Sequence, residues 1–150
     1  MVMGSGTVMM MDKVWISDVE KGVYASNGRL VMKGGSIMVK SGVGNGNYGV
    51  GVGVSGGAVT MMGTEIKGSG KGTGVYATGT GKLVMSGVWI EGVGKGVEVS
   101  GEGMLEMMGN STIIFTGGDR GYGVGLEVGS GVASTILTDV KIMGSGKGNG

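Results

Sequence analysis

Glu98 and Glu127 come closest to a catalytic pair in this 150-residue sequence. They stand in two similar segments, Gly96-Val97-Glu98-Val99 and Gly125-Leu126-Glu127-Val128. If those segments stack as neighbouring strands, the carboxylates share one outward column about 5 Å apart, a separation that suits a retaining glycosidase. The remaining Asp residues do not support such a centre. Asp18 and Asp119 are scattered, while Asp12 and Asp139 fall at the same turn of repeats five steps apart. There is no His and no Cys, so the commonest general base, the commonest metal ligand and every thiolate site are missing. These residue types predict a chain that is not an enzyme and uses neither metal nor cofactor.

Residues suited to binding are more numerous. A basic residue recurs in one class of loop, as Lys21, Lys71, Lys95, Arg120 and Lys147. Stacked, these cations predict a broken stripe able to meet a sulfated glycan or an acidic receptor face. Nearby Asp18, Glu20, Glu91 and Asp119 dilute its field. Two longer versions of the same loop carry Tyr48, in Asn45-Gly46-Asn47-Tyr48-Gly49, and Tyr122, in Asp119-Arg120-Gly121-Tyr122-Gly123. Insertions in solenoids collect on one side, often the binding side, and Tyr and Arg are favoured interface anchors. Trp15 and Trp89 sit between inward-facing residues, where other repeats place Ser36, Glu65 and Lys141. That spacing turns both indoles outward, about 14 Å apart.

Such positions mean something only if the chain repeats, and it does. Gly22-Val23-Tyr24-Ala25 returns as Gly74-Val75-Tyr76-Ala77, and more loosely at Gly51, Gly96 and Gly125. A second apolar stretch follows each: Leu30-Val31-Met32, Val59-Thr60-Met61, Leu83-Val84-Met85 and Leu105-Glu106-Met107. A third is marked by Ile16, Ile37, Ile66, Ile90, then Thr112 or Ile113, and Ile142, at steps of roughly 21 to 30 residues. Within each stretch apolar residues alternate with polar ones, and Gly, Ser and Asn separate the stretches. Helical i, i+3, i+4 spacing and the leucine-rich consensus are both absent. The pattern predicts an all-β, single-stranded, right-handed parallel β-helix of about six coils, each of three short strands. Val23, Val52, Val75, Val97 and Leu126 form one expected interior ladder. Met11, Met32, Met61, Met85, Met107 and Leu137 form another, and the Ile column a third. The 39 Gly residues are assigned to corners, where positive φ is needed.

Composition agrees with a packed core. Hydrophobic residues make up 40% of the chain, which separates it from disordered Gly-rich sequences. A net charge of +1 gives no global pull towards nucleic acid or membrane. The run Val8 to Met11 is too short to span a bilayer, and the N-terminus lacks the basic and long apolar regions of a signal peptide. Val2-Met3-Gly4-Ser5-Gly6 resembles Ile142-Met143-Gly144-Ser145-Gly146. The likeness suggests a chain that starts within the tail of one coil and stops in the same loop of another. On this reading residues 1–150 form a single uncapped segment of a longer solenoid, with open edges able to associate end to end.

Other motifs carry nothing. Gly51-x-Gly53-x-x-Gly56 matches a dinucleotide fingerprint by letter but precedes no helix, and Asn110-Ser111-Thr112 is an isolated sequon.

The coil Gly-Val-Tyr-Ala-x-x-Gly-x-Leu-Val-Met-x-Gly-x-x-Ile, spelled out by residues 22–37, is similar to passenger repeats of Gram-negative autotransporters, above all the Gly-rich Bartonella type. The resemblance covers essentially the whole chain and implies a β-helical passenger, secreted or held at the cell surface. It further implies virulence or cell adhesion by contact with a host-cell surface protein or sulfated glycan, in some cases as a growth-factor-like ligand of endothelial cells. Signal peptide and outer-membrane translocator would lie outside this chain. A purely structural spacer or engineered scaffold is the alternative. A polysaccharide-active enzyme, of the kind that shares this architecture when it degrades pectin, ranks last.

Overall fold

A computed structural model describes residues 2–5, 8–40, 49–68, 72–116, 123–145 and 148–149. Strands are numbered in chain order. The first coil comprises β1 (Val2–Ser5), β2 (Val8–Asp12) and β3 (Trp15–Val19), and the second β4 (Lys21–Ser26), β5 (Arg29–Lys33) and β6 (Ser36–Val39). The third holds β7 (Val50–Ser55), β8 (Ala58–Met62) and β9 (Glu65–Lys67), and the fourth β10 (Thr73–Thr78), β11 (Lys82–Ser86) and β12 (Trp89–Val93). The fifth holds β13 (Lys95–Val99), β14 (Met104–Met108) and β15 (Thr112–Thr116). In the sixth are β16 (Gly123–Val128), β17 (Ser134–Leu137) and β18 (Lys141–Ser145), and β19 (Gly148–Asn149) opens a seventh.

Every third strand pairs, always in parallel, to build three walls. The first sheet runs β1-β4-β7-β10-β13-β16-β19, the second β2-β5-β8-β11-β14-β17, and the third β3-β6-β9-β12-β15-β18. This is a parallel β-helix with six coils of three strands. The predicted ladders stand in register: Val23, Val52, Val75, Val97 and Leu126 in the first sheet, Met11 through Leu137 in the second, and the Ile column in the third. Most of these side chains join one buried cluster that fills the bore.

Two sequence expectations need correction. Val2–Ser5 is not the counterpart of residues 142–145. It pairs with β4 in the first sheet, Val2 opposite Val23, whereas β18 lies in the third sheet. The compositional likeness reflects apolar-small alternation common to both walls. Glycine is also not only a corner residue. Gly22, Gly51, Gly74, Gly96 and Gly125 lie within first-sheet strands, and each faces the Ile of its own coil. A Cβ on Gly74 would stand 2.6 Å from Ile90 Cγ2 and 2.7 Å from the Gly96 carbonyl oxygen. At Gly51 the same distances are 2.7 Å to Ile66 and 2.6 Å to the Gly74 oxygen. The missing side chain is the space that the Ile occupies.

True corner glycines form separate columns. Between the second and third sheets the left-handed position is filled by Lys13, Gly34, Gly63, Gly87, Gly109 and Asp139, all at positive φ. Asn27, Gly56, Gly79 and Gly101 do the same between the first and second sheets. Beside the first of these corners the bore accepts two polar plugs. Thr64 Oγ1 donates to the Gly34 carbonyl at 3.1 Å. Ser111 Oγ donates to the Met108 carbonyl at 2.8 Å and accepts the Val88 N–H at 3.1 Å. Both are fully buried, and among the described residues no buried side-chain polar atom lacks a partner.

Gly74→Ala should therefore cost about 3 kcal/mol, the upper part of the usual overpacking range, because carbonyl and Ile both resist the added methyl. Gly63→Ala, at φ 63° with nothing within 4 Å of the new Cβ, should cost only about 1 kcal/mol of backbone strain. Urea unfolding of the two variants measures the difference. Equal costs would show that the in-strand glycines do not set the packing.

Candidate functional site

The best-defined surface feature is built twice. Trp15-Ile16-Ser17-Asp18-Val19-Glu20-Lys21-Gly22-Val23 and Trp89-Ile90-Glu91-Gly92-Val93-Gly94-Lys95-Gly96-Val97 share one pattern, Trp-Ile-x-x-Val-x-Lys-Gly-Val. In both, the residue after the short apolar stretch turns left-handed, Asp18 at φ 57° and Gly92 at φ 70°. There the pairing register shifts by one residue, which makes a bulge. Asp tolerates this conformation better than most side chains, and its carboxylate reaches Lys40 Nζ at 3.3 Å. The bulge swings the chain straight into the next first-sheet strand, so Lys21 opens β4 and Lys95 opens β13. The first and fourth coils thus have the tightest third-to-first-sheet corner. The identical spacing of residues 15–23 and 89–97 is the sequence signal of this corner.

Each bulged coil presents an indole on the outer face of the third sheet. The column reads Trp15, Ser36, Glu65, Trp89, Thr112, Lys141. The two Trp residues are three coils apart, about 14 Å, as the spacing predicts. Trp15 is 71% exposed and Trp89 42%. Trp89 Nε1 donates to Glu91 Oε2 at 2.9 Å, which fixes that ring, and Ser17 takes the place of Glu91 beside Trp15. Next to Trp89, Lys67 Nζ lies 2.8 Å from Glu65 Oε1. The hydrogen bond to Glu65, aided by its charge, holds the Lys67 ammonium above the usual lysine range. Exposed Met38 and half-buried Ile114 and Met143 extend the wall in the adjacent column.

The basic stripe is less continuous than the sequence suggests. Lys21 and Lys95 do share one register position, but Val50 and Thr73 stand between them and Val124 follows. Lys95 is also committed elsewhere. Its Nζ lies 3.2 Å from Glu98 Oε2 and 3.0 Å from Glu127 Oε2, clamping two adjacent coils. The bond to Glu127 is the largest cause of its raised pKa; partial burial opposes it and Glu98 reinforces it. Glu98 and Glu127 are therefore register neighbours, as expected, with a lysine between their charges. Lys71, Arg120, Lys147, Tyr48 and Tyr122 lie outside the described residues.

Two surface features were not anticipated. Tyr24 lies across Gly53 in the outer column of the first sheet, where a Cβ would come within 2.6 Å of its ring. The outer face of the second sheet exposes Val8, Met10, Met62, Met104 and Ile136. Among the described residues no group of three or more His, Cys, Asp or Glu could hold a metal ion, and no helix is long and apolar enough to cross a membrane. Compared with family models, curated proteins and solved structures, the chain matches none of them.

Because Lys95, Glu98 and Glu127 all keep contact with water, Lys95→Met should cost less than about 1 kcal/mol at neutral pH. The folded pKa is raised, so this contribution is fully present below the ordinary lysine value of about 10.4 and fades as pH climbs through the folded value above it. Urea midpoints of the native chain and the variant, separate at pH 7, should converge under strongly alkaline conditions. A gap that persists would assign the effect to packing of the lysine stem.

Proposed function

We propose that this chain is a non-enzymatic, autotransporter-like passenger segment, secreted or displayed at the surface of a Gram-negative bacterium, that offers its third-sheet wall to a protein on a host-cell surface. The observation that carries the reading is the repeated unit, with Trp15 and Lys21 in one bulged coil and Trp89 and Lys95 in another at matching register. Exposed Trp and Met are rare on surfaces that meet only water and are enriched where proteins meet. A rigid sheet holds them at fixed spacing, so little side-chain order is lost on contact. The coil consensus supports the passenger assignment.

A protein partner suits this wall better than a sulfated glycan. The cation column is interrupted by Val50 and Thr73, and Lys95 already serves two carboxylates. The same clamp weighs against hydrolytic chemistry, since Glu98 and Glu127 share a lysine. A structural spacer is the second reading, favoured by the unbroken interior ladders, which would carry a neighbouring domain outward without any wall contact.

Labelled chain should bind cultured endothelial cells saturably, and Trp15→Ala with Trp89→Ala should weaken that binding at least tenfold, the loss of about one modest hot spot or more. Lys21→Gln with Lys95→Gln should change it little and leave heparin retention weak throughout. Cell binding indifferent to both Trp residues would refute the wall. Strong heparin retention lost with the lysines would transfer the site to the glycan reading, and no binding at all would favour the spacer.

A further inference from the structure

Two strands of the second sheet carry complementary charge on their outer faces. In β5, Arg29-Leu30-Val31-Met32-Lys33, alternation buries Leu30 and Met32 and turns Arg29, Val31 and Lys33 outward. In β14, Met104-Leu105-Glu106-Met107-Met108, it buries Leu105 and Met107 and turns Met104, Glu106 and Met108 outward. Register puts these positions in shared columns, Arg29 with Met104, Val31 with Glu106 and Lys33 with Met108. Two cations therefore flank the middle column in the second coil, and one carboxylate occupies it in the fifth. Three coils, about 14 Å, keep them from meeting within one chain. Among the described residues none of the three charges forms an ion pair. The rest of the face is largely apolar. Met62 and Met104, in coils that have a neighbour on either side, are 39% and 42% exposed. Met and Arg are enriched where proteins meet.

We propose that two copies of this chain pair face to face through their second sheets, about a two-fold axis that runs along the strands between the third and fourth coils. That operation sets each column opposite itself and reverses the order of coils, so the second coil of each copy faces the fifth of the other. Glu106 then enters between Arg29 and Lys33 of the other copy, whose stems lie on its flanking Met104 and Met108. At the centre Thr60 faces Val84 and Met62 faces Ser86, while Lys82 faces Ala58 from the edge column and keeps its ammonium in water. Farther out Met10 faces Ile136. The axis makes every contact twice, as a closed dimer requires. Six strands of five residues give a face of about 29 by 16 Å, so two copies bury on the order of 1,000 Å². That area is at the low end for a specific interface, so the dimer dissociates in the micromolar range. The third sheet, with Trp15 and Trp89, stays uncovered.

Sedimentation of the 150-residue chain over a concentration series tests this, with circular dichroism to show that each variant keeps its strands. Weight-average mass should rise from the monomer's 14.9 kDa and level off at twice that value. Glu106→Lys should weaken association about tenfold by setting three cations together, and Arg29→Glu with Lys33→Glu should do the same with three carboxylates. Those two variants mixed in equal amounts restore both junctions of a mixed dimer, and the triple variant restores both of its own. Each should associate as the native chain does. A constant monomer mass, a mass that climbs past the dimer, or a dimer that ignores the charge exchanges would overturn the proposal, as would failure of the mixture and the triple variant to recover. None of these outcomes depends on the host-cell reading, which concerns the third-sheet wall.

Discussion

The contact between in-strand glycines and isoleucines sets the cross-section of this solenoid. In every coil from the second to the sixth, the first-sheet strand gives up a side chain just before the residue of its interior ladder. The third-sheet strand fills the space with Ile Cγ2, at Gly22–Ile37, Gly51–Ile66, Gly74–Ile90, Gly96–Ile113 and Gly125–Ile142. At Gly22, Gly51, Gly74 and Gly96 the next glycine's carbonyl oxygen is about as close, so the position is confined both across the bore and along it. Ala at these sites would force the first and third sheets apart, and neighbouring coils with them. The wall-to-wall distance is therefore written in the sequence at the scale of one methyl group.

That contact also explains why a single corner tolerates variety. The third-to-first-sheet connection ranges from a bulge at Asp18 or Gly92 to the long segments between Val39 and Val50 and between Thr116 and Gly123. Whatever its length, the chain resumes with a glycine that must meet an isoleucine, so register is regained within two residues. The second-to-third-sheet corner has no such reset and stays at two or three residues with a left-handed residue in every coil, whereas the first-to-second-sheet corner lengthens from two residues after Ser26 to five after Val128. Where Lys13, Asn27 or Asp139 replaces glycine at these corners, the coil accepts about 1–2 kcal/mol of backbone strain to place a side chain at an edge.

The ladders were legible because each is one residue type repeated at one position. Val, Met and Ile columns can be aligned by eye, and stacking then fixes what lies above what. Glycine columns were not legible in the same way. A missing side chain has the same letter whether it frees φ at Gly63 or makes room at Gly74, and only the partner atoms tell the two apart. The N-terminal strand was misplaced for a related reason, since Val-Met-Gly-Ser matches two walls by pattern and its pairing partner decides between them. At the surface, Trp15 and Trp89 could be assigned outward by alternation alone. The commitment of Lys95 could not, because its partners Glu98 and Glu127 lie on different coils and a one-dimensional reading counts charges without their reach.

Ladder packing also decides where the coils can differ. A hydrophobic core in a compact domain is closed by elements that wrap it, whereas a ladder is covered only by its next rung. Leu137 and Ile142 are chosen by the same rule as Met107 and Ile113 and stand one rung from them. What distinguishes one coil from another cannot come from those residues, since the coils repeat the same apolar ladders. It has to come from positions that differ between coils. The left-handed corner is one, because its side chain projects from the rim without entering the bore and can change without disturbing the ladders. Lys13 in the first coil and Asp139 in the sixth place opposite charges on a column that glycine fills in the four coils between them.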